Sequence, residues 1–240
     1  MTPVSHGASP NRFYEAVHIE RAKSGHAILL DGKPVLTPTR SELVVPTESL
    51  AKAVAGEWEA QGERIDPEAM PLTKRANTAL DQVRVREAEV VEEIVAYAGS
   101  DLLCYRAESP DGLIELQRSH WDPVLEWVRA EFGADFKTCA GISHVTQPQD
   151  SLVHIRRAFA AHDFFQLAPL HAMATLTGSA LLAHAHARGR LSADEVWAAA
   201  HVDEDWQNSQ WGEDAEATVR RAARRAEFDA DSRFLELLHA

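Results

Sequence analysis

Polar and apolar positions along the chain change their period once. Between residues 13 and 45 the texture is that of strands: Val17 and Ile19 alternate with polar neighbours, and residues 27–30 form a short apolar run. Asp31-Gly32 follows that run. This dipeptide favours a tight turn, because both central positions of the turn need a left-handed backbone. Val35-Leu36 and, after Pro38 and Arg40, the run 43–45 continue the pattern. The reading is about four short strands in a small antiparallel unit. From Thr47 onward the period becomes helical. Thr47 is placed to cap a helix whose buried stripe is Leu50, Val54 and Trp58, widened by Ala51 and Ala55. Gly62 ends that helix, and Asp66-Pro67 and Met70-Pro71 mark a connecting loop.

Everything after Thr73 reads as helix. Ala76, Leu80, Val83, Val91, Ile94 and Tyr97 sketch one apolar face ending at Gly99. A second segment runs through Leu113, Leu116, Trp121, Leu125, Val128 and Phe132 to Gly133. Pro123 lies inside it, so a break near Trp121-Asp122 is expected, since proline removes a helical hydrogen bond. Further helices are expected over 151–163, 169–188 and 192–226, the last opened by the capping box Ser192-x-x-Glu195. A short terminal helix is expected over 234–238.

Strands first and helices later predict an α+β fold, with a small N-terminal β-rich domain followed by a larger α-helical domain. The expected division is a flexible tail over 1–12, a β-rich domain with one helix and a linker over 13–72, and a helical domain over 73–240.

The chain has 240 residues and a formal net charge of −13. Such a charge repels phosphate backbones and anionic membrane surfaces, so neither nucleic acid nor membrane insertion is expected. It suits solubility or a basic protein partner. The two cysteines, Cys104 and Cys139, belong to no metal or redox motif and fit a reducing compartment. No apolar run is long enough to span a bilayer, and the first residues show neither a signal peptide nor an Arg-rich presequence. A cytoplasmic protein is expected, or a mature mitochondrial matrix form. The oligomeric default is a monomer.

Motifs for chemistry are scarce. No GxSxG elbow, Walker loop or GxGxxG is present, so no nucleotide cofactor is expected and no catalytic residue is assigned. Twelve histidines invite a metal reading. His184 and His186 are two apart and would point away from each other on a helix. A site built from His184, His201 and Asp203 would make the chain a metal-dependent hydrolase, the alternative to a binding protein, but no ligand spacing supports it. One cluster stands out between His201 and Glu213: Asp203, Glu204, Asp205, Trp206, Gln207 and Trp211. It is either a helix with partly buried tryptophans and solvated acids, or a recognition surface of aromatic anchors ringed by acidic acceptors.

The chain resembles the ATP12 family of F1-ATPase assembly chaperones, of the mitochondrial and alpha-proteobacterial kind. The likeness is carried by Arg12-Phe13-Tyr14, residues 30–38 (LDGKPVLTP), residues 70–81 (MPLTKRANTALD) and residues 101–106 (DLLCYR). It continues with Gln117-x3-Trp121-Asp122-Pro123 and with Glu204-Asp205-Trp206-Gln207-x3-Trp211-Gly212. The resemblance implies a chaperone that binds the unassembled F1-ATPase alpha subunit, covers the surface that the beta subunit later occupies, and uses no ATP. It also implies an acidic recognition position within residues 203–205, for which Glu204 is chosen. On this reading Asp203, Asp205, Trp206, Gln207 and Trp211 are partner contacts. A scaffold for another partner would share the fold without that specificity.

Overall fold

The structure is a computed structural model and describes residues 10–141 and 143–239. Two compact units emerge: one of residues up to Gln82 together with those from Glu236, the other Val83–Leu235. The first therefore extends past the expected limit at residue 72. The tail expected over 1–12 lies outside the described residues for 1–9. Pro10, Asn11 and Arg12 are tied down: Ile65 N–H donates to Pro10 O, Asn11 bridges Arg64, and the Arg12 guanidinium donates to Gln61 O at 2.6 Å.

In the first unit, β1 (Val17–Ala22) and β2 (Gly25–Leu30) form an antiparallel hairpin in the register Val17↔Leu30. β3 (Lys33–Pro34) and β4 (Val44–Val45) take successive stretches of the other edge of β2. β2 is thus the central strand, and all six of its residues are buried. Asp31 and Gly32 form the β2–β3 turn with φ of 49° and 78°, the left-handed pair their identity predicts. Gly25 is obligatory for another reason. A Cβ there would lie 2.2 Å from Val45 O, so a side chain would force β4 off its partner.

Helix α1 (Glu48–Glu59) covers this sheet with Leu50, Ala51, Val54 and Ala55. Thr47 caps it as expected, accepting from Leu50 N–H, and the same hydroxyl donates to Leu237 O at 2.6 Å. Helix α2 (Pro71–Thr78) starts at Met70, which supplies no capping side chain. Glu57 of α1 does so instead, its carboxylate accepting from Leu72 N–H, Thr73 N–H and the Thr73 hydroxyl, all at 2.7 Å. A π-helical turn, Ala79–Val83, follows. Within it Asp81 accepts from the Thr37 and Thr39 hydroxyls at 2.7 and 2.6 Å. The family-like stretches 30–38 and 70–81 are therefore joined by the Thr37–Asp81 hydrogen bond.

The second unit is helical. Helix α3 (Glu87–Gly99) leads to the short strand β5 (Tyr105–Arg106), which pairs in parallel with β6 (Cys139–Ala140). Between them runs α4 (Asp111–Phe132), unbroken through Pro123, contrary to the expected break. Two features explain this. Pro123 and Ser119 both face solvent, so water can satisfy the carbonyl that the proline leaves unpaired. Gln117, Trp121, Val124 and Val128 bury one stripe on both sides of the proline, and packing outweighs its local cost.

Helices α5 (Gln149–Phe159), α6 (Phe164–Thr177) and α7 (Ala180–Ala187) follow. The single helix expected over 169–188 is thus two, because Gly178 turns left-handed at φ 69° and Ser179 caps α7. Asp101 locks this junction. Fully buried, it accepts from Leu103 N–H and Leu181 N–H, and burial pushes its carboxyl up to about 7. The helix expected over 192–226 is three: α8 (Ala193–Ala200), α9 (Val202–Trp211) and α10 (Ala215–His239). The predicted capping box at Ser192 and Glu195 is present. The separate terminal helix expected over 234–238 is the end of α10, where Phe228, Phe234 and Leu235 are buried.

Candidate functional site

The acidic-aromatic cluster lies on α9, a helix of ten residues whose first turn holds Asp203, Glu204 and Asp205. Carboxylates there complement the partial positive charge of a helix N-terminus. His201 precedes them. Its Nδ1–H donates to Trp197 O at 2.8 Å, and its ring stacks on the Trp197 indole with centroids 4.0 Å apart. Burial lowers its pKa, so the ring is held neutral.

The helix turns its members to different neighbours. Asp203 faces α4. Its Oδ1 accepts from Gln117 Nε2 at 2.7 Å, while Gln117 Oε1 accepts from Ala107 N–H at 2.8 Å. Gln117 is buried and carries no signal of this role in its neighbourhood; the link spans 86 positions of sequence. Trp206 also faces α4 and covers Gly112. Nearby, the buried Trp121 donates its indole N–H to Ala199 O at 2.7 Å, and Arg106 pairs with Asp122 at 2.7 Å. The family-like residues 117–123 thus serve to seat α8 and α9.

Asp205 faces the start of α10 and pairs with Arg221. The two line a depression of about 310 Å³ together with Glu204, Asn208, Glu213 and Asp214. Four carboxylates and one guanidinium give this hollow a net negative field. Among the described residues the half-buried Glu204 carboxylate accepts no hydrogen bond, and its charge acts on Arg221 and His201. Gln207 is exposed, and Trp211 is 80 % exposed, among the most exposed large apolar side chains described. Of the six residues chosen from sequence, Asp203 and Trp206 anchor the helix, Asp205 joins it to α10, and Glu204, Gln207 and Trp211 have groups free to meet a partner.

The ligand set of the metal-hydrolase reading is not assembled. His184 sits among Trp127, Phe132, Phe159 and His162, with both ring nitrogens unpartnered, and burial pulls its pKa down to about 3. His201 is tied to Trp197, and Asp203 to Gln117. Among the described residues no group of three or more His, Cys, Asp or Glu side chains is placed to hold a metal ion. Nor, among them, is any helix long and apolar enough to cross a membrane.

Comparison with known proteins agrees with this architecture. Residues 11–129 match the family model of the ATP12 chaperone protein. The solved structure of Atp12 from Paracoccus denitrificans is 39 % identical over 95 % of this chain and 98 % of its own, with a TM-score of 0.91. A variant of that protein carrying a lysine in place of one aspartate gives the same identity and TM-score. The Atu1473 protein of Agrobacterium tumefaciens, described as a candidate chaperone, is 43 % identical over 95 % of this chain and 86 % of its own, again at 0.91. Identity at this level along nearly the whole chain, in the same fold, means that this protein belongs to the ATP12 chaperone family.

Proposed function

We propose that the protein binds the unassembled alpha subunit of the F1-ATPase, one to one, and covers the surface that the beta subunit later occupies. Membership of an assembly-chaperone family makes a protein partner in ATP synthase assembly the relevant ligand class. The alpha subunit is the partner that the sequence resemblance implies. The observation that carries the site is the outward part of α9, which offers the half-buried Glu204 carboxylate and, two turns further on, the exposed Trp211 indole. An exposed indole and a carboxylate on one short helix supply the two ingredients of an interface hot spot, an apolar anchor and a charged acceptor for a basic group.

The mechanism is exchange. An obligate interface is apolar and aggregation-prone until its partner arrives. A chaperone that occupies it holds the subunit soluble. The beta subunit then displaces the chaperone by forming the larger contact, so the chaperone needs no nucleotide hydrolysis. A cytoplasmic setting, where the subunits are made, fits this role.

The test is co-expression of the tagged chain with the alpha subunit alone, followed by size-exclusion chromatography. The expected result is a soluble one-to-one peak that disappears when the beta subunit is added. Glu204→Lys should leave the chain folded and abolish that peak. Alpha subunit that aggregates while the unmodified chain elutes alone would overturn the proposal.

A further inference from the structure

The sheet of the first unit ends on β1. Its neighbour β2 is taken on the far side by β3 and β4, and β1 itself pairs only with β2 among the described residues. The phase of the β1–β2 ladder is fixed by its register, Val17↔Leu30, and by the Asp31 N–H, which donates to Ala16 O one position earlier. Backbone groups alternate in direction along an antiparallel strand. His18, Glu20 and Ala22 therefore turn theirs toward β2, and Val17, Ile19 and Arg21 turn theirs away from it. Among the described residues those outward N–H and C=O groups meet no partner.

The residues along this edge are complementary to their own reversed order. Glu15 stands before the strand, and Arg21 and Lys23 stand at its other end. Glu15, His18, Glu20, Arg21 and Lys23 are all exposed. Among the described residues the side chains of Glu15, Glu20 and Lys23 make no hydrogen bond or ion pair. Charged residues on an edge strand ordinarily discourage pairing. This pattern discourages most partners while matching a second copy run in the opposite direction.

We propose that β1 pairs antiparallel with β1 of a second copy, about a two-fold axis through Ile19. An axis normal to the sheet keeps every side chain on its own face, so odd-numbered residues oppose odd-numbered ones. Centred on Ile19, the pair sets Val17 against Arg21, Glu15 against Lys23 and His18 against Glu20. Every outward backbone group of Val17, Ile19 and Arg21 then finds a partner, and each opposite-charge pair occurs twice. Moving the centre to Glu20 would set like carboxylates face to face, and moving it to His18 would leave Lys23 opposite Phe13. An edge of this length is a small contact beside the roughly 1,200 Å² of a stable interface. The dimer is accordingly weak, half formed at about 0.1 mM chain, and the monomer expected from sequence is its dilute form. No residue of α9 takes part, so the contact is separate from the client site.

The test is sedimentation equilibrium of the full chain between about 5 µM and about 500 µM. The average mass should climb from the 26.5 kDa of one chain toward twice that value. Glu15→Lys should weaken the dimer by at least about threefold, because it sets lysine against Lys23. Combining it with Lys23→Glu should restore the parent value, a rescue that damage to the fold would not give. In a Cys139→Ser background, Ile19→Cys should cross-link two chains on mild oxidation and Val17→Cys should not, since position 19 alone faces itself. A mass fixed at 26.5 kDa over the whole range would overturn the proposal. So would a dimer indifferent to Glu15→Lys, or equal cross-linking from positions 17 and 19. Co-elution with the alpha subunit is read separately, so loss of the dimer leaves the chaperone function standing.

Discussion

Trp206 lies so close over Gly112 that a Cβ at that position would stand 2.6 Å from its Cη2 and 3.0 Å from its Cζ3. Contact between α9 and α4 is set by that absence of a side chain. Gly112→Ala would ordinarily help a helix, by up to about 1 kcal/mol. Here the methyl must push the indole aside, and the expected net loss is about 1–3 kcal/mol in urea unfolding. A variant more stable than the parent would mean that Trp206 swings away freely and is no wedge.

Adjacent acids on α9 should separate cleanly by mutation. Asp203→Ala leaves the buried Gln117 amide without its acceptor and should destabilise by about 1–3 kcal/mol. Glu204→Lys should cost less, about 0.5–1 kcal/mol, because no hydrogen bond is lost and only the attraction of a carboxylate to the helix N-terminus and to Arg221 is reversed. Chemical denaturation of the two variants, run beside the co-elution assay, checks this. If Glu204→Lys unfolds the chain as readily as Asp203→Ala, its loss of binding says nothing about contact.

His184→Phe should stabilise the helical unit by about 1–3 kcal/mol at neutral pH, since a ring of similar shape replaces one whose nitrogens are buried without partners. The gain should grow in acid. With a folded pKa of about 3 against the 6.5 of a free imidazole, the unfolded state takes up the proton first, so this histidine withdraws stability as pH falls below 6.5. At pH 5 that amounts to about 2 kcal/mol. Asp101 acts the other way: its raised pKa stabilises the fold at low pH and stops doing so as pH rises toward about 7. Comparing unfolding of parent and variant at pH 5 and pH 7 isolates the histidine, and a pH-independent difference would refute the assignment.

Thr47→Val removes a cap from α1 and, with the same hydroxyl, the donor to Leu237 O. A loss of about 1–2 kcal/mol is expected, whereas Thr47→Ser should lose little. A valine variant as stable as the parent would show that the hydroxyl contributes nothing.

Local chemistry made much of this fold readable. Asp31-Gly32, Thr47, Ser192 and Gly133 each act through their own backbone neighbourhood, and each is where its residue type belongs. Failures came where distant groups decide. Pro123 stays inside a helix because Trp121 and Val128 bury both flanks. Gly178 passes for a helical residue until its left-handed φ is seen. At the site, the composition of residues 203–211 was evident, but the division of labour among them was not. Asp203 differs from Glu204 only because Gln117, far away in sequence, reaches one and not the other.

The hydroxyl of Thr47 finds its acceptor on Leu237, and residues from Glu236 onward belong to the same compact unit as the strands. On the ribosome, then, the β-rich unit is begun first and finished last. Thr47 emerges early, yet its acceptor on Leu237 does not exist until 190 residues later. The intervening 83–235 can fold in the meantime. A nascent chain stalled before residue 236 should therefore show a protected helical unit and a protease-sensitive strand region, the reverse of the order in which they were synthesised.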